Sequence, residues 1–377
     1  MSKVQCNCNK TKREKQKVEW IRERTETALQ GFLSQSPQID SDRLVIYQSR
    51  LHEELGEFDK REGAQVFLQV LDLIQSLENA GLPLWYSGGG ISASLVSFLL
   101  GLSDVDPIEF GLIHQMWTGS HLNGRLHFLL YIDADLRDEF KEILCEKFET
   151  TTLKDWQVLG FTSLAQIVPD SGEVGKHVTV RAFPGLKALK DTGSYSSHSG
   201  SKADVPGSFQ LVQSKPFPIS DPGNSDSIRN FILATNPTNL MEMATCISLI
   251  RPVTWQEGLT AKYATRKKGD EAPFPIHAHL GVELKETLGM LVFKEQIVHA
   301  LHRLGGFSLG EADDFRRRMG KRVDDAALKE RILRGMVENG VSGYEAEELF
   351  QILYWYSALT YSKAHALAEA SLCVRQV

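Results

Sequence analysis

Three consecutive glycines, Gly88, Gly89 and Gly90, lead directly into the apolar stretch ISASLVSFLLGL at residues 91–102. Glycine removes the side chain where a backbone turns sharply or lies close to another group. A serine such as Ser92 can accept hydrogen bonds from the free amides at a helix start. The pattern therefore predicts a strand-to-helix turn, with Gly89 or Gly90 at positive φ and a helix that begins at about Ser92.

This turn has two interpretations. The free N–H groups and the dipole of a helix start favour an anion, so Gly89, Gly90 and Ser92 are candidates to bind the phosphate of a nucleotide or of nucleic acid. The alternative is a turn without a ligand. No lysine follows the glycines, and Ala93 stands where G-x-G-x-x-G requires its third glycine, so neither that motif nor a Walker loop is present.

The composition is that of a globular chain with ample core. The 377 residues are 42% hydrophobic and 24% charged, and predict two or three domains. The polar, basic start and the lack of a long apolar run predict a cytoplasmic protein with no membrane partner. A formal net charge of -6 argues against non-specific coating of nucleic acid but leaves room for a local basic groove.

Hydrophobic periodicity divides the chain into four parts. Residues 1–16 are polar and predict a disordered tail, whereas apolar residues at three- and four-residue spacing predict helices over 17–80. Short apolar runs predict strands within 81–208, and helices return over 209–377, including one over 282–306. The expected fold class is therefore α+β. The predicted strands are 126–134, 156–168 and 176–183.

The segment FKEQIVHALHRLGGFSLGEADDFRRRMGKR at 293–322 resembles the fingers of the alpha subunit of bacterial DNA polymerase III, a C-family DNA polymerase. The resemblance continues, in the same order along the chain, in SGGGISASLVSFLLGLSDVDP, FQL, ATCISLIRP, MVENGVS and YSKAH. It covers about residues 17–377. It implies a polymerase-beta-type nucleotidyltransferase palm, with its helical N-terminal part at 17–80 and its core at 81–208, and a mostly helical fingers domain at 209–377. The length of the chain implies that the family's thumb is missing.

The resemblance also implies three aspartates that hold two magnesium ions, because in-line attack on a triphosphate needs hard cations with oxygen ligands. In an alignment without gaps these aspartates fall on Leu129, Tyr131 and Ala182, which do not supply carboxylates. The expected site is therefore degenerate, with no metal and no cofactor. The alternative is a shifted register in which Asp133 and Asp135 form the first pair, and only this alternative requires magnesium.

Basic residues match the family's phosphate-binding positions more closely. The matching residues are Arg316, Arg317, Lys321, Lys363 and His365. Guanidinium groups suit phosphate because they are always charged and donate paired hydrogen bonds. The alternative is a solvated basic helix face, partly neutralised by the acids one turn earlier.

Two functions remain open at this point. The first is a catalytically inactive DNA polymerase III alpha-like protein, a pseudo-polymerase that binds DNA, a nucleoside triphosphate or a replication or repair partner in a regulatory role. The second is a minimal DNA-directed DNA polymerase, a nucleotidyltransferase that uses Asp133 and Asp135.

Overall fold

The chain forms two compact units, residues 1–202 and 203–377. The structure is a computed structural model and describes residues 2–59, 63–82, 84–118, 128–136, 138–140, 142–143, 156–158, 161–163, 166–167, 178–183, 225–322 and 324–375. Residues 184–224, which include the FQL segment at 209–211, lie outside the described residues. Among those that are described, no helix is long and apolar enough to cross a membrane.

The first unit begins with three long helices, followed by short strands and two short helices. Its helices are α1 (Ser2–Ser34), α2 (Ser41–Asp59), α3 (Gly63–Asn79), α4 (Leu95–Leu99) and α5 (Gln115–Thr118). Its strands are β1 (Leu84–Gly88), β2 (Phe128–Asp133), β3 (Trp156–Val158), β4 (Phe161–Ser163), β5 (Gln166–Ile167) and β6 (Val178–Phe183).

The core of this unit is built on the long helices. Their apolar residues recur at helical spacing and pack together with the segment that follows the glycine turn. Buried members of this core include Ile21, Leu29, Tyr47, Leu51, Leu55, Phe67, Leu73, Leu77, Ile91, Leu95, Val96 and Trp117.

Helix α1 extends through the predicted disordered tail, because it begins at Ser2. No glycine or proline interrupts the chain before Gly31, and lysine, arginine, glutamate and glutamine, which favour helices, dominate its first half. The polar residues that indicated a tail are also residues that favour helices.

The strands form a four-stranded sheet in the order β1-β2-β6-β5, and β3 pairs with β4 separately. Strand β1 runs antiparallel to β2, β2 runs parallel to β6, and β5 runs antiparallel to β6. The predicted strand over 156–168 is divided among β3, β4 and β5, whereas β2 and β6 fall inside the other two predicted strands.

The predicted fold class, α+β with a polymerase-beta-type nucleotidyltransferase palm, is wrong. Helices dominate the described chain, and its strands have only two to six residues. Ile132, the one strand residue whose burial is described, belongs to the core of the first unit. The other core residues that are described lie on helices and on the segments between them.

The second unit is helical over its described residues. Its helices are α6 (Ser225–Thr235), α7 (Leu240–Leu249), α8 (Pro252–Gln256), α9 (Leu259–Lys268), α10 (Lys294–Gly305), α11 (Leu309–Gly320), α12 (Ala326–Glu338), α13 (Gly343–Tyr356) and α14 (Lys363–Arg375). Capping boxes start two of them: the Ser308 and Glu311 side chains bond each other's backbone amides at α11, and Ser342 and Glu345 do so at α13.

The predicted helix over 282–306 forms only in its second half. A 3-10 turn at Lys285–Thr287 is followed by Gly289 at φ 78°, and α10 begins at Lys294. A side chain at Gly289 would overlap the backbone carbonyl of Phe274, so this glycine allows a close approach of two chain segments as well as a left-handed turn.

Candidate functional site

The glycine turn connects β1 to α4 through a 3-10 turn at Gly89–Ala93. Gly90 does not have positive φ, and α4 begins at Leu95 with Ser94 as its N-cap, so the predicted helix start at Ser92 is wrong. A Cβ atom at Gly90 would overlap the Trp117 ring. Close packing against an aromatic side chain therefore explains why a glycine stands here.

A carboxylate already occupies the start of α4. Glu54, on α2, is fully buried, and its side chain accepts hydrogen bonds from the amides of Leu95 (2.9 Å) and Val96 (3.2 Å) and from the Ser94 hydroxyl (2.6 Å). Arg50 lies one turn earlier on the same helix, and its Nε donates to Glu54 at 2.6 Å.

This arrangement argues against phosphate binding at the turn. The amides that a phosphate would need donate to Glu54, and the positive end of the short helix is neutralised by an internal charge. Ser92 is buried, and its hydroxyl has no hydrogen-bond partner in the part of the chain that the structure describes. The interpretation as a turn without a ligand fits the geometry better.

The three degenerate positions lie on two neighbouring strands. Leu129 and Tyr131 belong to β2, and Ala182 belongs to the parallel strand β6. The register pairs Ala182 with Ile132, one position away from Tyr131. The residues at these positions do not supply the carboxylates that two magnesium ions require, so they do not fit the metal site that the resemblance implies.

Asp133 and Asp135 are two residues apart in the sequence, where β2 ends. Asp133 is the last residue of the strand, and Asp135 is exposed in the 3-10 turn Ala134–Leu136. Within the described residues, no group of three or more histidine, cysteine, aspartate or glutamate side chains has the geometry to hold a metal ion.

The paired arginines share one buried carboxylate. Asp313, on α11, has no exposed surface, and it accepts from Arg316 Nε at 2.8 Å and from Arg317 Nε at 2.7 Å. The Arg316 side chain is buried, whereas that of Arg317 is 35% exposed. Arg316 and Arg317 therefore contact the same buried carboxylate.

Lys363 and His365 are held by carboxylates at the start of α14. The Lys363 ammonium donates to Glu286 at 2.8 Å, and His365 Nε2 lies 3.1 Å from Glu369. Glu295 accepts the amides of Lys363 (2.7 Å) and Ala364 (3.3 Å) and so caps the helix. These contacts give Lys363 and His365 structural partners, which the basic motif alone did not reveal.

Two further basic residues contact Tyr361, Lys294 through its backbone and Arg251 through its side chain, and neither was predicted from the sequence. The Lys294 amide donates to the Tyr361 carbonyl at 2.8 Å, because Phe293 and Tyr361 form an isolated parallel β-bridge. The Arg251 guanidinium lies 5.0 Å from the centre of the Tyr361 ring, and His365 stacks on that ring at 5.2 Å. Since residues 251, 294 and 361 are far apart in sequence, no local motif could have joined them.

The charges of Arg316 and Arg317 also act on the Lys294 side chain. Burial, together with the positive charges of Arg316, Arg251 and Arg317, lowers the pKa of Lys294 to about 8, against the opposing effect of Glu295. A half-buried amine among three guanidinium groups is a site of high positive potential. We call Arg251, Lys294, Arg316 and Arg317 the cationic cluster.

Comparison with known proteins identifies the family of the chain. The family model described as the bacterial DNA polymerase III alpha NTPase domain matches residues 19–166, and the model for the finger domain of the same subunit matches residues 224–340. The second match includes every member of the cationic cluster. The chain is a DNA polymerase III alpha-like protein.

Curated relatives give the same family. The chain is 21% identical to the DNA polymerase III subunit alpha of Pasteurella multocida and 28% identical to that of Haemophilus influenzae, over 90% of this chain and 40% of each relative. It is 35% identical to the error-prone DNA polymerase of Anaeromyxobacter dehalogenans, over 36% of this chain and 12% of the relative. This DNA polymerase III alpha-like chain thus spans about 40% of the length of its longer-matching relatives.

Proposed function

We propose that this DNA polymerase III alpha-like protein is catalytically inactive and binds the phosphates of DNA or of a nucleoside triphosphate through its cationic cluster, in a regulatory or accessory role in replication or repair. The observation that carries the proposal is the grouping of Arg251, Arg316 and Arg317 around Lys294. The charges of these three guanidinium groups lower the pKa of Lys294, and Arg316 and Arg317 contact the same carboxylate, that of Asp313. A phosphate is attracted to such a positive potential and accepts paired hydrogen bonds from guanidinium groups.

The inactivity rests on the residues at the expected metal-ligand positions. Leu129, Tyr131 and Ala182 do not provide carboxylates, and magnesium is therefore not part of the proposed function. The proposed setting is the cytoplasm, where DNA, triphosphates and replication proteins are at hand.

Binding is tested with Lys294→Gln and Arg317→Gln rather than with changes at Arg316. The Arg316 side chain is buried and contacts Asp313 through Nε and a terminal nitrogen, so its removal would more readily unfold the chain than removal of the Arg317 side chain, which is 35% exposed. Each glutamine variant should bind a fluorescent triphosphate or a DNA duplex roughly tenfold more weakly, the effect of losing one hydrogen bond to a charged group. A matched control is Arg303→Gln, which removes an arginine paired with Glu283 outside the cluster. Unchanged binding in both cluster variants would refute the phosphate site.

A minimal nucleotidyltransferase is the second candidate, because Asp133 and Asp135 are two residues apart in the sequence, where β2 ends. Primer extension with magnesium or manganese separates the two functions. We expect no incorporation above that of a mock preparation. Incorporation that Asp133→Ala abolishes would establish the second function and exclude the first.

A further inference from the structure

The end of α11 carries cations that the cationic cluster does not use. Five of the eight residues 315–322, FRRRMGKR, are basic. Arg316 and Arg317 contact Asp313, and Arg318 contacts Asp325. Lys321 and Arg322 are exposed, and within the described residues no carboxylate pairs with either of them.

Arg322 is fixed in an unusual conformation. Its φ of 57° places it in the left-handed region that residues with a side chain seldom adopt. The guanidinium lies 5.0 Å from the ring centres of both Tyr354 and Trp355, and it donates to the Trp355 carbonyl at 2.7 Å. The end of α11 is thereby held against the last turn of α13.

Trp355 remains 51% exposed even though Arg322 lies over its ring. A guanidinium covers one face of an indole, so the exposed area leaves ring surface for another planar group. Arg322 holds the tryptophan in place, and Lys321, the residue before Arg322 in the sequence, is a second exposed cation without a carboxylate partner in the described part of the chain. We call Lys321, Arg322, Tyr354 and Trp355 the aromatic–basic platform.

We propose that the aromatic–basic platform binds single-stranded nucleic acid, with a base stacked on Trp355 and the backbone phosphates beside Lys321 and Arg322. Every base has an aromatic face, so stacking on an indole accepts any sequence, and adjacent cations follow the phosphates. Charge complementarity favours this occupant over a protein, because an exposed aromatic residue flanked by unpaired cations suits a polyanion better than an apolar partner surface. Asp324, the exposed acid near the platform, is one negative charge against two positive charges.

The platform shares no residue with the cationic cluster, for which a phosphate site is proposed. Because the backbone phosphates of an oligonucleotide are also ligands for that cluster, Lys294→Gln is measured beside the platform variants to separate the two sites. A fluorescein-labelled thymidine oligonucleotide, followed by fluorescence anisotropy with the full chain, provides the measurement. Trp355→Ala should weaken binding about tenfold, within the range measured for removal of one stacked base.

Three further variants make the test specific. Trp355→Phe keeps an aromatic face and should restore most of the affinity. Lys321→Ala with Arg322→Ala should lower the slope of log affinity against log salt by about 1.4, the value for two phosphate contacts on a single strand. Trp20→Ala is the matched control, because Trp20 is 42% exposed and lies 5.2 Å from the Arg24 guanidinium in the first unit.

The proposal is overturned if the chain does not bind the oligonucleotide, or if Trp355→Ala binds within twofold of the parent. It is also overturned if Trp355→Phe is as weak as Trp355→Ala, since a loss without aromatic rescue would reflect local unfolding or a protein-docking role. Loss of oligonucleotide binding in Lys294→Gln alone would assign the interaction to the cationic cluster instead.

Discussion

Glu54→Ala should destabilise the first unit more than any other single change of an acidic side chain described above. The substitution removes the acceptor for two amides and the Ser94 hydroxyl, all of them buried. It also leaves Arg50 without its carboxylate, although the guanidinium keeps the carbonyls of Ala93 (2.7 Å) and Leu112 (3.0 Å).

The magnitude follows from these contacts. Breaking a buried charge pair by removing one partner costs about 3–5 kcal/mol. The remaining carbonyl contacts of Arg50 place the expected loss toward the lower end of that range, about 3 kcal/mol. For a unit of this size, that corresponds to a fall of roughly 10 °C in melting temperature.

The assay combines thermal unfolding by circular dichroism with amide hydrogen exchange. Exchange of the Leu95 and Val96 amides should become much faster in Glu54→Ala, because both lose their acceptor. Glu54→Gln keeps a carbonyl acceptor and should lose less than half as much stability. Glu53→Ala, on the same helix but with its side chain 59% exposed, is the control and should change little.

The reasoning fails if Glu54→Ala melts within about 1 kcal/mol of Glu53→Ala, or if the two amides keep their protection. Either result would mean that the carboxylate does not hold the start of α4. The amides would then be free to bind a phosphate, and the turn would regain its interpretation as an anion site.

Three further predictions concern the pH dependence of stability at His114 and Lys294 and the packing at Gly90. Burial, followed by the charge of Arg50, lowers the pKa of His114 from 6.5 to about 4. As pH falls, the unfolded chain binds this proton before the folded chain does, so the free energy of unfolding should decrease between pH 6.5 and 4. Urea unfolding of His114→Gln should show a smaller decrease. The lowered pKa of Lys294 also makes stability increase with pH, but in a higher range. The unfolded chain retains the Lys294 proton up to about pH 10.5, so the free energy of unfolding should rise between about pH 8 and 10.5. Lys294→Met should lack this rise. Gly90→Ala should lower the free energy of unfolding by about 1–3 kcal/mol, because the added methyl group overlaps the Trp117 ring. The control Gly56→Ala, at an open position in a helix, should stabilise the protein slightly. Equal effects of the two changes in thermal melts would contradict the packing argument.

Local signals in the sequence predicted much of the second unit. The pairs Ser308 with Glu311 and Ser342 with Glu345 are three residues apart, and both form capping boxes. Family motifs likewise placed Arg316 and Arg317 on a helix. In each case the interacting groups lie within one turn of one another, where sequence spacing determines geometry.

Contacts between distant residues could not be predicted in the same way. Glu54 lies 41 residues before Leu95, and nothing near the glycines indicates that a carboxylate fills the helix start. Lys294 and Arg251 meet at Tyr361 only after the second unit has folded. The fold class was misjudged for a related reason, because a short apolar run does not show how much of the core its strand will supply.

The position of α14 has a consequence for the order in which the second unit forms. Its small and apolar residues Ala364, Ala366, Leu367 and Ala368 are buried, and its first amides complete the contacts of Glu295. During synthesis, helices α6 to α13 emerge while this internal space is still empty and Glu295 lacks those partners. The nascent unit should therefore remain loosely packed and accessible to chaperones until residues 363–375 have left the ribosome, and then fold in one late step.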